Sequence, residues 1–121
     1  MTRGEILVRV AETDVTFTFR DGLWVGKCLI CNGPIAFEPR TGAGATLEHI
    51  HARTRGGTEA LSNLAAVHDR CNHEKGRRWD PRRRRSEEEY RAFIDHLLRK
   101  RLARWREPGS YTPPSGRRND P

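Results

Sequence analysis

Apolar positions alternate with polar ones in the first quarter of the chain and recur at helical spacing near its end. ILVRV (6–10) and VTFTF (15–19) are rich in β-branched and aromatic residues, a composition that suits half-buried strands. Asp21-Gly22 separates the second run from LWV and predicts a tight hairpin turn. IAFEP and ATLEHI, joined by RTGAG, predict a second hairpin over residues 35 to 50. Residues 52–61 lack a period and read as a loop. Ser62-Asn63-Leu64 opens a helical stretch that HDRCNHEKGRR continues, with Gly76 near its end.

The last element is the most regular. Ser86 followed by Glu89 matches a capping box. Tyr90, Phe93, Ile94, Leu97, Leu98, Leu102 and Trp105 then line one helical stripe. Arg91, Arg99, Arg101, Arg104 and Arg106, with Lys100, are expected on the opposite face. From Pro108 onward the composition is that of a disordered tail.

Composition limits what these elements achieve alone. Of 121 residues, 35% are hydrophobic and 32% charged, so the core is small and a structural ion would help hold it. Lys and Arg number 23 against 16 acids, a net charge of +7. That balance suits a polyanionic partner, most simply nucleic acid. Three cysteines argue against a disulfide framework. No leader is recognisable at the amino end and no apolar run is long enough for a membrane span, so a cytoplasmic setting without membrane contact is expected.

The cysteines have a more specific pattern. Cys28-x-x-Cys31 sits in CLICNGP, a knuckle-like turn, and His68-x-x-Cys71 repeats its spacing downstream. Three thiolates and an imidazole complete a tetrahedral shell of the kind that holds structural zinc. His73 is a rival fourth ligand at a tighter spacing. A second concentration of chemistry is TLEHIH, where Glu48, His49 and His51 interrupt a strand-like run.

The sequence Glu48-His49, Gly56-Gly57, Asn63-Leu64, His68-x-x-Cys71-Asn72 and Lys75-Gly76, placed after the Cys28-Cys31 knuckle, resembles the HNH endonucleases of the ββα-metal fold over residues 28 to 78. The resemblance implies a metal-dependent nuclease that hydrolyses DNA phosphodiester bonds. His49 would be the general base and Asn63 a brace that orients it. Glu48 and Asn72 would hold a catalytic divalent ion, magnesium or manganese, while Cys28, Cys31, His68 and Cys71 hold structural zinc. Lys75 and Arg77 would grip flanking phosphates, helped by the run Arg82, Arg83, Arg84 and Arg85. Against the family pattern, Glu48 replaces the usual Asp, His68 and Cys71 replace a second cysteine pair, Asn72 stands where His is frequent, and Ala52 replaces a proline.

The expected architecture is α+β: an amino-terminal β extension (1–27) with its hairpin, a zinc-stapled ββα-metal core (28–78), a basic linker with a long amphipathic helix (79–107), and a tail (108–121). The expected partner is DNA, with RNA possible, acting on a monomer or homodimer. The competing readings are a non-catalytic zinc-stabilised module that binds nucleic acid, and a ribonuclease.

Overall fold

The computed structural model describes residues 1–79 and 86–113, and its first element is a helix where a strand was expected. Helix α1 spans Arg3–Glu12, opened by a capping box in which Thr2 and Glu5 exchange side-chain and backbone hydrogen bonds. Its buried residues are Gly4, Leu7, Val10 and Ala11. That is a 3.6-residue period within ILVRV, and it overrides the strand propensity of the β-branched side chains. A short β1 (Thr18–Arg20) turns back into β2 (Leu23–Lys27). Asp21 and Gly22 both have positive φ, 52° and 82°, the geometry of the tight turn that suits strand twist.

The second expected hairpin does not form between its two predicted arms. β3 (Pro34–Phe37) pairs antiparallel with β2, completing a three-stranded sheet. β4 (Thr46–His49) instead pairs antiparallel with β5 (Leu64–Val67) in a separate two-stranded sheet. Residues 64–67 were expected to be helical. All four are buried, and a short run buried on both faces carries no alternation to identify it as a strand. Helix α2 (Asp69–Arg78) follows directly, and α3 (Glu87–Ala103) has the expected Ser86/Glu89 capping box.

β5 explains the shape of the core. Leu64 and Ala66 point into a cluster with Leu7, Val10, Ala11, Phe17, Trp24, Ile35 and Phe37. Ala65 and Val67 point the other way, into a cluster with Cys28, Leu29, Ile50, Cys71, Tyr90, Ile94 and Leu97. One four-residue strand thus divides two apolar cores, following the alternation of side chains along a strand.

Arg91 and Arg99 lie on the exposed face of α3 as expected, but Arg101, Arg104 and Arg106 turn inward. Arg101 is 0% exposed. Its guanidinium donates to the carbonyls of Leu64, Thr13 and Leu61 and to the Thr13 hydroxyl, at 2.7 to 3.2 Å. Arg106 donates to the carbonyls of Ala11, Glu12, Asp14 and Phe17, satisfying acceptors that a helix end leaves open. Arg104 reaches the Lys27 carbonyl and Asn32 Oδ1. Leu102, expected on the apolar stripe, is 57% exposed. Three guanidiniums, from the last turn of α3 and the residues just after it, therefore join this end of the helix to α1, β5 and the knuckle, because the fork geometry of arginine can serve several carbonyls at once.

Tyr111, within the segment expected to be disordered, accepts a hydrogen bond from Phe19 N at 2.7 Å and packs on Trp24. Arg82 to Arg85 and residues 114–121 lie outside the described residues. Among the described residues, no helix is long and apolar enough to cross a membrane.

Candidate functional site

The knuckle shapes itself before any ion is considered. Cys28 N donates to the Gly33 carbonyl and Asn32 N to the Cys28 carbonyl, both at 2.9 Å. Asn32 turns the chain with a φ of 65°. Gly33 N then donates to Cys31 Sγ at 3.3 Å, and His68 N to Cys28 Sγ at 3.4 Å. His68 is the N-cap of α2, so Cys71 lies one turn into the helix beside it.

The four candidate ligand atoms lie within 4.8 Å of one another. A tetrahedron with metal–sulfur bonds of ~2.3 Å has edges of roughly 3.8 Å, so small movements close this set around one ion. The imidazole orientation fits as well. His68 Nε2 sits 2.9 Å from the Pro34 carbonyl and must donate to it, which leaves Nδ1 free to coordinate, 3.3 Å from Cys31 Sγ and 3.8 Å from Cys71 Sγ. A backbone acceptor on the second ring nitrogen is the usual way a ligating histidine is oriented.

The thiols disagree about ionisation. The Gly33 N–H holds Cys31 down at about 7. Burial first, and the neighbouring Cys28 second, push Cys71 up to about 12. Closely placed thiols cannot all ionise unaided, and a cation among them removes the conflict. The site is therefore a possible metal site consistent with zinc, built from Cys28, Cys31, His68 and Cys71. His73 stands apart, its ring 4.0 Å from Asp69 Oδ2 and largely exposed.

The second group of candidate residues is gathered by β4, β5, their connecting loop and α2. His49 ends β4, opposite Leu64. Its Nε2 lies 3.0 and 3.1 Å from the two carboxylate oxygens of Glu59. His49 has 24% of its side chain exposed and Glu59 64%. Arg53 Nε approaches Glu59 Oε2 at 2.9 Å. Hydrogen bonding to His49 holds the Glu59 carboxyl below its ordinary range, helped by the charges of His49 and Arg53. Residue 59 was not a candidate from the sequence, because nothing in the loop's pattern relates an acid there to an imidazole ten residues earlier.

Asn63 is buried and holds the loop from inside. Its Oδ1 accepts from His51 N at 2.9 Å, and its Nδ2 donates to the carbonyls of His51 and Thr58 at 3.1 and 2.8 Å. Gly57 packs against the same strand end, where a Cβ would fall 1.7 Å from the His51 carbonyl oxygen. From the outside, Tyr90 of α3 supports the loop. Its hydroxyl accepts from Ala52 N at 3.3 Å, and Arg55 stacks over its ring at 3.8 Å. His51 lies near that ring as well.

Glu48 and His49, neighbours on β4, engage opposite partners. Glu48 Oε2 lies 2.7 Å from Lys75 Nζ of α2, and only 1% of the lysine side chain is exposed. Lys75 was expected to grip phosphate at the surface. Instead it lies between α2 and β4, where its ammonium offers no open face to a nucleic acid. Asn72 precedes it by three residues on α2 and so shares its side of the helix. Arg77 remains at the surface, paired with Glu74.

Residues 28–78 match the family model described as HNH endonuclease. No curated protein and no solved structure matches the chain.

Proposed function

We propose that the β4–β5–α2 unit hydrolyses phosphodiester bonds in nucleic acid, with DNA as substrate and His49 as the general base. The observation that supports this reading is the partly exposed imidazole at the end of β4, oriented by Glu59 inside a segment of nuclease family. A neutral imidazole can take a proton from an attacking water. The water O–H bond breaks as its proton moves to His49. Its oxygen bonds to phosphorus, and the bond to the leaving oxygen breaks with its electron pair, that oxygen then taking a proton from solvent. Asn63 supports the base indirectly by bracing the loop that carries Glu59.

Glu48 and Asn72 are hard oxygen donors that suit magnesium or manganese. The contact of Glu48 with Lys75 does not exclude a cation, since a carboxylate has about four lone-pair sites. Bound there, the ion would neutralise charge developing on the phosphoryl and leaving oxygens. Zinc in the Cys28, Cys31, His68 and Cys71 shell would serve structure, tying the knuckle to the start of α2. Arg77 and the run Arg82 to Arg85 would add affinity for the nucleic-acid backbone without reading sequence.

One observation favours a second reading, a zinc-stabilised module that binds nucleic acid without cutting it. The Lys75 ammonium already neutralises the carboxylate that a catalytic cation would need. Full-length protein incubated with supercoiled plasmid or with RNA, in magnesium or manganese, separates the possibilities when run beside His49→Ala. The nuclease reading expects the variant to lose roughly 10²-fold or more in rate. Equal cleavage by both proteins would refute His49 as base. Binding without cleavage by either would favour the module, and cleavage confined to RNA would make it a ribonuclease.

A further inference from the structure

Glu59 sits in the loop between β4 and β5, yet both of its carboxylate oxygens reach back to one nitrogen of His49, at 3.0 and 3.1 Å. Arg53 approaches the same carboxylate from outside, at 2.9 Å. An ionised carboxylate only accepts hydrogen bonds, so the proton between the two groups belongs to Nε2, and in the neutral ring the lone pair resides on Nδ1. The loop is not free to drift from this arrangement. Asn63 binds it at His51 and Thr58, one residue before the acid, and Gly57 closes it against the strand end.

The geometry points to Glu59 as the positioning residue of the His49 base: it holds the imidazole with Nε2 as donor and leaves Nδ1 as the atom that accepts the proton of the attacking water. This inference rests on the reading of His49 as general base. Glu59 touches neither substrate nor reacting atoms. It keeps its own proton count throughout, and its charge lies against the imidazolium once Nδ1 has taken the proton. The logic is that of any base whose far nitrogen is held by an acid, which sets both ring orientation and tautomer. Arg53 restrains the carboxylate without discharging it, because the guanidinium stays ionised at neutral pH.

Two readouts on the full-length protein test this. The first is the ¹⁵N spectrum of the His49 ring, recorded for wild type, Glu59→Ala and Glu59→Gln under conditions where the ring is neutral. Wild type is expected to show a protonated Nε2 and an unprotonated Nδ1. In Glu59→Ala the two shifts should move toward each other as the tautomers mix. Glu59→Gln, which keeps an acceptor oxygen without the charge, should fall between. The second readout is cleavage, where kcat should fall roughly ten- to a hundredfold in Glu59→Ala with KM little changed, within the ~10²–10⁴-fold that a general base contributes. An unchanged ring spectrum, an unchanged kcat, or a loss confined to KM would overturn the assignment. If wild type itself cuts no nucleic acid, the proposed function fails, and the ring spectrum alone decides whether Glu59 sets the tautomer.

Discussion

Lys75 Nζ lies 2.7 Å from Glu48 Oε2, an ion pair between α2 and β4 with 1% of the lysine and 13% of the glutamate side chain exposed. A charge so enclosed is tolerable only with a partner. The pair therefore joins helix to hairpin. Residues in such direct contact are expected to be energetically coupled.

Lys75→Met should accordingly cost more than the loss of a surface pair. Removing one partner of a buried pair typically costs ~3–5 kcal/mol, while replacing both with apolar groups is far milder. Urea denaturation of Lys75→Met, Glu48→Leu and the double variant measures this. The double variant should be more stable than the sum of the single effects implies. Strict additivity would show that the two side chains do not depend on each other.

Asn63→Ala should loosen the loop that carries Glu59. It removes the partner of the His51 N–H and of two carbonyls, all part-buried, so the total cost should be about the ~1–3 kcal/mol of one buried group left unsatisfied. Hydrogen exchange should report faster exchange at His51 N. Protection equal to wild type would show that the amide is not what holds the loop.

Arg101→Lys retains the charge and loses the fork. Four acceptors on Thr13, Leu61 and Leu64 share one guanidinium, and an ammonium on a linear stem cannot reach them together. A destabilisation of at least ~2 kcal/mol is expected, since hydrogen bonds to charged groups are worth ~1.5–3 kcal/mol each. A melting temperature within a degree or so of wild type would contradict this role.

Zinc should be present at one ion per chain, as measured by elemental analysis. Structural zinc contributes on the order of 10 kcal/mol to folding, so a chelator should abolish the cooperative melting transition of so lightly cored a chain. Zinc retained after Cys28 and Cys71 are both changed to Ser would remove this shell from consideration.

Glu59 also has a pH signature. Its carboxyl is held below the ordinary 4.5 by the His49 hydrogen bond, then by the charges of His49 and Arg53. A group depressed in the fold contributes stability above its unfolded value, and loses it as pH falls through the lower folded value. The difference in melting temperature between wild type and Glu59→Gln should therefore be present above the ordinary carboxylate value of 4.5 and shrink as pH falls below it through the lowered folded value. A difference that widened on acidification would contradict the pairing.

What the sequence by itself determined is local chemistry. The two paired ligand elements were legible because x-x spacing returns side chains to one side of a turn or helix, whatever the rest of the chain does. The Ser86 capping box, the Asp21-Gly22 turn and the family resemblance over 28–78 were legible for the same reason, since each is a pattern of neighbours. Only tertiary structure decided which strand pairs with which. Leu64 to Val67 is a strand because two cores need a wall between them, and β4 joins it across the loop rather than β3. Tertiary structure also decided where charge goes. Arg101 and Lys75 look like surface residues in the sequence, yet each is enclosed by acceptors brought from distant segments. Glu59 meets His49 only because Asn63 and Gly57 shape the loop between them. Spacing is encoded along the chain, whereas burial and pairing depend on contacts that exist only once the chain has closed on itself.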